Sequence, residues 1–190
     1  MTEAGLRPHV LGIDDGPFDK RTDATVPIVG VMTEGPDLVE AVAVTRFPVD
    51  GPRVAEFLAT WIDGLRFASA LHAVVLGGIT VAGLGVVDIE DLSRRSGLPA
   101  MVVNRREPQN DRLGNALTRA GLAGRIEIVE SAPAAWPLEP GLFVAHAGTT
   151  RDEAAKILTA ARGKSQLPEP LRLAHLIGAA IVSGQSRGRP

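Results

Sequence analysis

At 190 residues, 45% apolar, with a net charge of −2 and a mean hydropathy of +0.12, the chain has material for a core. That charge gives no global electrostatic case for nucleic-acid binding, and the absence of cysteine excludes disulfides, zinc–thiolate centres and thiol nucleophiles. No basic stretch leading into an apolar run opens the sequence and no apolar run approaches ~18 residues, so it reads as a cytoplasmic protein with no leader and no membrane span.

Residues 9–18, His-Val-Leu-Gly-Ile-Asp-Asp-Gly-Pro-Phe, form a short apolar run that ends in two carboxylates and is stopped by Gly16 and Pro17. The pattern predicts a buried strand delivering Asp14 and Asp15 to the edge of a sheet. Two such carboxylates need a positive partner: Arg, Lys, or a divalent cation such as Mg²⁺ or Mn²⁺. The alternative is a turn in which Asp15 bonds nearby backbone. Adjacent strand residues point to opposite faces, so one of the two suffices to face a site.

Residues 26–32 and 38–49 read as the second and third strands, joined by the turn chemistry of 33–37. Pro52 opens a helix carrying Val54, Phe57, Leu58, Trp61, Ile62 and Leu65 at helical spacing. A fourth strand spans 73–76, ahead of Gly77 and Gly78. Residues 86–95 make a helix, or a loop entering one, stopped by Gly97. Further strands are expected at 101–103, 125–129 and 142–145, and helices at 111–120, 150–161 and 168–182. Residues 131–140 read as a surface connection and 183–190 as a polar tail. The expected architecture is α/β: one domain over 1–190, a mixed sheet with its first three strands antiparallel and the later ones parallel to the first, and helices on its faces.

Asp50, before Gly51-Pro52, is either a turn residue or a ligand; Asp88 is either a helix cap or a ligand. Gly77, Gly78, Gly83 and Gly85 suit close backbone approach, but their spacing is not a phosphate-loop fingerprint. His175, with Leu171, Ala174 and Gly178, is either a core histidine or a ligand. His9, His72 and His146 stand alone, and Arg187 and Arg189 form a small basic tail that a solvated terminus also accounts for.

Several segments together resemble one family. They are the 12–18 run Gly-Ile-Asp-Asp-Gly-Pro-Phe, Val-Asp-Gly at 49–51, Leu-Gly-Gly-Ile-Thr at 76–80, Val-Val-Asp-Ile at 86–89, Leu-Pro at 98–99, the 167–177 run containing Pro-Glu-Pro-Leu-Arg-Leu-Ala-His, and Gly-Gln-Ser-Arg-Gly-Arg at 184–189. The chain resembles the archaeal endonuclease dU family and is more distantly similar to endonuclease V with its RNase H-like fold. The resemblance implies a metal-dependent endonuclease acting on nucleic-acid phosphodiesters, in the context of deaminated-base repair. It implies Asp14, Asp50 and His175 as catalytic groups, and Arg172 as a phosphate or carboxylate partner. Mg²⁺ or Mn²⁺ would sit on Asp14 with Asp50 or Asp88, and Arg187 and Arg189 would reach nucleic acid. One departure stands out: the family's fourth strand typically ends Leu-Asp-Gly-Ile-Thr, and the acid position here is Gly77. Loss of that ligand weakens a two-metal clamp. It leaves a second expectation open: a binding module that keeps the fold without cleaving.

Overall fold

The computed structural model describes residues 7–186. β1 (His9–Asp15), β2 (Thr25–Glu34) and β3 (Leu38–Pro48) form an antiparallel meander. Then come α1 (Val54–Asp63), β4 (Ala73–Leu76), the two-residue strands β5 (Thr80–Val81) and β6 (Gly85–Val86), α2 (Ile89–Ser96) and β7 (Ala100–Asn104). The chain continues through α3 (Asn110–Arg119), α4 (Ile126–Ser131), β8 (Trp136–Glu139), β9 (Leu142–Ala147), α5 (Arg151–Ala160) and α6 (Glu169–Ser183).

Seven strands make one mixed sheet in the order β3-β2-β1-β4-β7-β9-β8, while β5 and β6 pair separately. β1, β4 and β7 are parallel neighbours. Their C-terminal ends therefore share one edge of the sheet, the position where α/β folds gather ligands. The period of two sorts β1: Leu11 and Ile13 enter the core with Leu58 and Ile62 of α1 and Leu92 of α2. Val10 faces the other way, into the core of Met101, Val144, Leu158 and Leu171. Helices thus cover both faces.

Three expectations change. β9 runs antiparallel to β7, so the later strands are not all parallel to the first. Residues 125–129 alternate like a strand, yet 126–131 are helical, because Ile126 and Val129 pack on Leu117 and Val86. A run that short fits either period. The surface connection holds β8, an edge strand where Pro137 is tolerated. No helix among the described residues is long and apolar enough to cross a membrane.

Candidate active site

Asp14 is on the α6 side of β1 and Asp15 on the other. Asp14 Oδ2 lies 2.8 Å from His175 Nδ1, although 161 residues separate them. Asp15 Oδ2 accepts the amide of Ala82 at 2.8 Å. Burial, then the charge of Asp15, holds the Asp14 carboxyl above the ordinary aspartate range, and the bond from His175 pulls it back. Burial also raises Asp15, against the Ala82 amide.

The Asp14–His175 spacing is built into the backbone. A Cβ on Gly12 would come within 2.2 Å of the Pro170 carbonyl carbon and the Leu171 nitrogen, so only glycine lets α6 rest there. From Gly12 two strand residues advance about 6.6 Å to Asp14. From Leu171 four helical residues advance about 6.0 Å to His175. Strand and helix run alongside and arrive together. A second glycine contact follows, where a Cβ on Gly178 would sit 3.3 Å from Gly16 Cα. The pair opens on a cleft of about 800 Å³ lined by Asp14, Asp15, Phe18, Gly77, His175 and Gln185. The His175 side chain is 69% exposed and lines the cleft.

Asp50 reaches this region indirectly. Its amide donates to the Ala82 carbonyl at 2.9 Å, and Ala82 is the residue whose amide Asp15 holds. The Asp50 carboxylate binds Lys20 Nζ at 3.0 Å and takes the Leu84 amide at 2.6 Å. Among the described residues, the three non-glycine positions with positive φ are Asp50, Arg53 and Ala82, so left-handed backbone is concentrated around this loop. Asp88 takes the cap alternative, accepting the Asp91 amide at 2.9 Å as N-cap of α2. Arg172 is paired with Glu169 at 2.8 Å and lines a different cleft with Pro36 and Lys164. Arg187 and Arg189 lie outside the described residues.

The structure adds Asn104 and Arg105, which sequence reasoning missed. Both sit at the end of β7 and line a recess of about 350 Å³ with Asp14, Gly77 and His175. Asn104 also lines a neighbouring recess of about 250 Å³ with Ile79, Ile89 and Val102. The available signal was the one that marks Asp14: polar residues directly after a short apolar run.

The endonuclease dU family pattern matches residues 7–182. The chain belongs to that family. A UPF0215 protein of Methanothermobacter thermautotrophicus is 37% identical over 191 residues, covering 95% of this chain and 90% of the relative. Among solved structures, a protein of unknown function from Archaeoglobus fulgidus matches with a TM-score of 0.84 at 32% identity, over 92% of this chain and 98% of that one. Ciona intestinalis endonuclease V, in complex with a 24mer DNA containing an inosine followed by a ribo-adenosine, matches with a TM-score of 0.55 at 16% identity, over 90% and 85%. That likeness gives the endonuclease V-like, RNase H-like fold to this member of the endonuclease dU family.

A divalent cation fits the cleft in part. Asp14 Oδ1 is 3.4 Å from where a Cβ on Gly77 would stand, so a side chain at position 77 would face Asp14, and glycine offers no oxygen there. Mg²⁺ commonly takes one or two carboxylates, completing its shell with water and substrate phosphate, and the half-buried Asp14 carboxylate meets that lower bound. Among the described residues, three ligand-type side chains within 4.8 Å of one another occur at the far end of β1, as His9, Glu34 and Glu40. There Glu34 is already paired with Arg7 at 3.0 Å.

Proposed function

We propose that the chain is a metal-assisted nuclease acting on nucleic-acid phosphodiesters, with Asp14 and His175 as its reacting pair. The 2.8 Å bond between them, at the mouth of an open cleft, carries this reading. Mg²⁺ or Mn²⁺ on Asp14, shared with a substrate phosphate, would supply Lewis acidity and charge neutralisation. With its proton on Nδ1, His175 would donate to Asp14 and keep the Nε2 lone pair for the chemistry. That nitrogen can take a proton from water, or in its charged form return one to the leaving oxygen. The Arg105 guanidinium and Asn104 amide offer donors for phosphate oxygens at the same rim.

Asp50 acts here as a positioning residue, holding the β5–β6 turn against Asp15; a direct role at a metal would require it to leave Lys20. The recess between Ile79, Ile89, Val102 and Asn104 has apolar walls and one amide, chemistry that suits a displaced base. The inosine-containing DNA bound by the Ciona endonuclease V supports a deaminated base as the substrate class.

The test is single-turnover cleavage of oligonucleotides carrying deoxyuridine or inosine, with Mn²⁺ or EDTA. Metal-dependent cleavage that falls at least ~100-fold in Asp14→Asn and His175→Ala is expected, the usual scale for acid–base groups. Cleavage unaffected by both variants would overturn the assignment. Binding of these oligonucleotides without cleavage would favour the second reading, a binding module, for which Gly77 is the specific observation.

A further inference from the structure

The large apolar side chains left exposed among the described residues are confined to one region. Leu38, Val39, Val42 and Val44 lie on β3, and Ile181 and Val182 at the end of α6. α6 packs on β1 and β2, where Val29 and Val31 meet Ala174, Leu173 and Ile177. Val42 and Val44 pair with Val31 and Val29, so they continue the same face one strand beyond the helix, and each is about half exposed, at 48% and 50%.

β3 is also an edge strand, hydrogen-bonded to β2 alone. Sheet edges are normally blunted by lysine, proline, bulges or brevity. β3 has 11 residues, no lysine, and no proline before Pro48. Its register shifts opposite Met32/Thr33, and from Ala41 to Pro48 the ladder is regular. The outer backbone groups of that stretch are a ready template for another strand.

The sequence of this edge is close to a palindrome about Ala43: Glu-Ala-Val-Ala-Val-Thr-Arg at 40–46. We propose that β3 pairs antiparallel with β3 of a second copy, with the two-fold axis at Ala43. Val42 then faces the partner's Val44 and Ala41 the partner's Thr45, small against small and large against large on each face. Glu40 and Arg46 stand at opposite ends of the stretch, so the antiparallel arrangement brings each end to the partner's opposite charge. A parallel one would set like beside like. The same patch meets itself, as an isologous dimer requires. Four valines form one apolar cluster across the axis. β3 is parallel to β1 through β2, so the two clefts of the dimer point toward opposite edges of a continuous sheet.

The chain has no cysteine, so single introduced thiols report the register. Paired antiparallel residues have Cα atoms about 4.5–5.5 Å apart, inside the span of a disulfide. Ala43→Cys should therefore cross-link to dimer under mild oxidation. Val39→Cys is four residues off the axis, about 26 Å from its counterpart, and should not. Sedimentation of wild type at about 100 µM should give a dimer, and V42K/V44K a monomer with an unchanged circular dichroism spectrum. A monomeric wild type overturns the proposal. So does a dimer in which Val39→Cys links and Ala43→Cys does not, or one that survives V42K/V44K, since each places the interface elsewhere.

Discussion

Replacing Gly77 with aspartate adds the acid that the family resemblance implies at the end of the fourth strand, and the structure gives the size of the effect. Gly77 is not among the positive-φ positions, and a Cβ there meets Asp14 Oδ1 at 3.4 Å and Leu171 Cδ1 at 3.5 Å, ordinary contacts. The substitution is sterically admissible, so its consequence is electrostatic. A new carboxylate would lie about 4–5 Å from that of Asp14, a repulsion of about 3–4 kcal/mol at an effective dielectric near 20. That is an upper bound, because Asp14 already holds its proton more tightly than an ordinary aspartate and can take one up instead. In EDTA at pH 8 the variant should melt below wild type by as much as roughly 6–16 °C for a chain of this size. Mn²⁺ at about 100 times its Kd returns about 2.7 kcal/mol to whichever protein binds it. At one fixed Mn²⁺ concentration the variant, with two carboxylates facing one point and so the lower Kd, should gain more than wild type does. Thermal melts of both proteins with EDTA and with Mn²⁺ decide it. An equal metal-induced rise in the two would mean that position 77 does not face the cation, and the site drawn around Asp14 would fall.

Asp14→Asn should raise the melting temperature at pH 8 without metal while removing activity. A carboxyl whose folded pKa is raised makes stability fall as pH climbs from its ordinary value, about 3.9, toward its folded value; the gap between variant and wild type should close below about pH 4. Gly12→Ala forces the start of α6 off β1, because the nearest backbone atoms would be 2.2 Å away. A cost of about 1–3 kcal/mol is expected, with kcat lowered about 100-fold, measured well below the melting temperature, since a shift near 1 Å misplaces His175. Wild-type turnover in that variant would refute the strand–helix ruler. Arg105→Ala should weaken oligonucleotide binding regardless of sequence and reduce the slope of log K against log salt by about 0.9, the signature of one lost phosphate contact. An unchanged slope would remove Arg105 from the interface.

Asp14 is legible in the sequence because it closes a four-residue apolar run, and a carboxylate carried to the edge of a core is costly without a partner. Its bond to His175 is not legible: Leu171, Ala174 and Gly178 surround that histidine with apolar residues, a pattern that fits a core position equally well. Only the family resemblance favours the site, and the structure leaves His175 mostly exposed. The antiparallel meander follows from the turn at 33–37, whereas the antiparallel return of β9 depends on long-range sheet order that no local pattern encodes. Arg105 follows its strand, much as Asp14 stands one residue from the end of β1. It becomes meaningful only once β7 is known to lie beside β4, two strands from β1. Asp50 shows the opposite case: the turn is readable at Gly51-Pro52, and the partners of its carboxylate, Lys20 and Leu84, are not.

The docking of α6 on Gly12 also sets an order of events during synthesis. β1, β2 and β3 leave the ribosome before α6, and Asp14 emerges 161 residues ahead of His175. Until α6 arrives, Val29 and Val31 stay uncovered beside the bare valines of β3, so the nascent meander carries its widest apolar face before it has any site to protect. A chain interrupted ahead of α6 keeps that face and lacks the histidine. Premature termination should thus yield an inactive, aggregation-prone fragment rather than a weak enzyme.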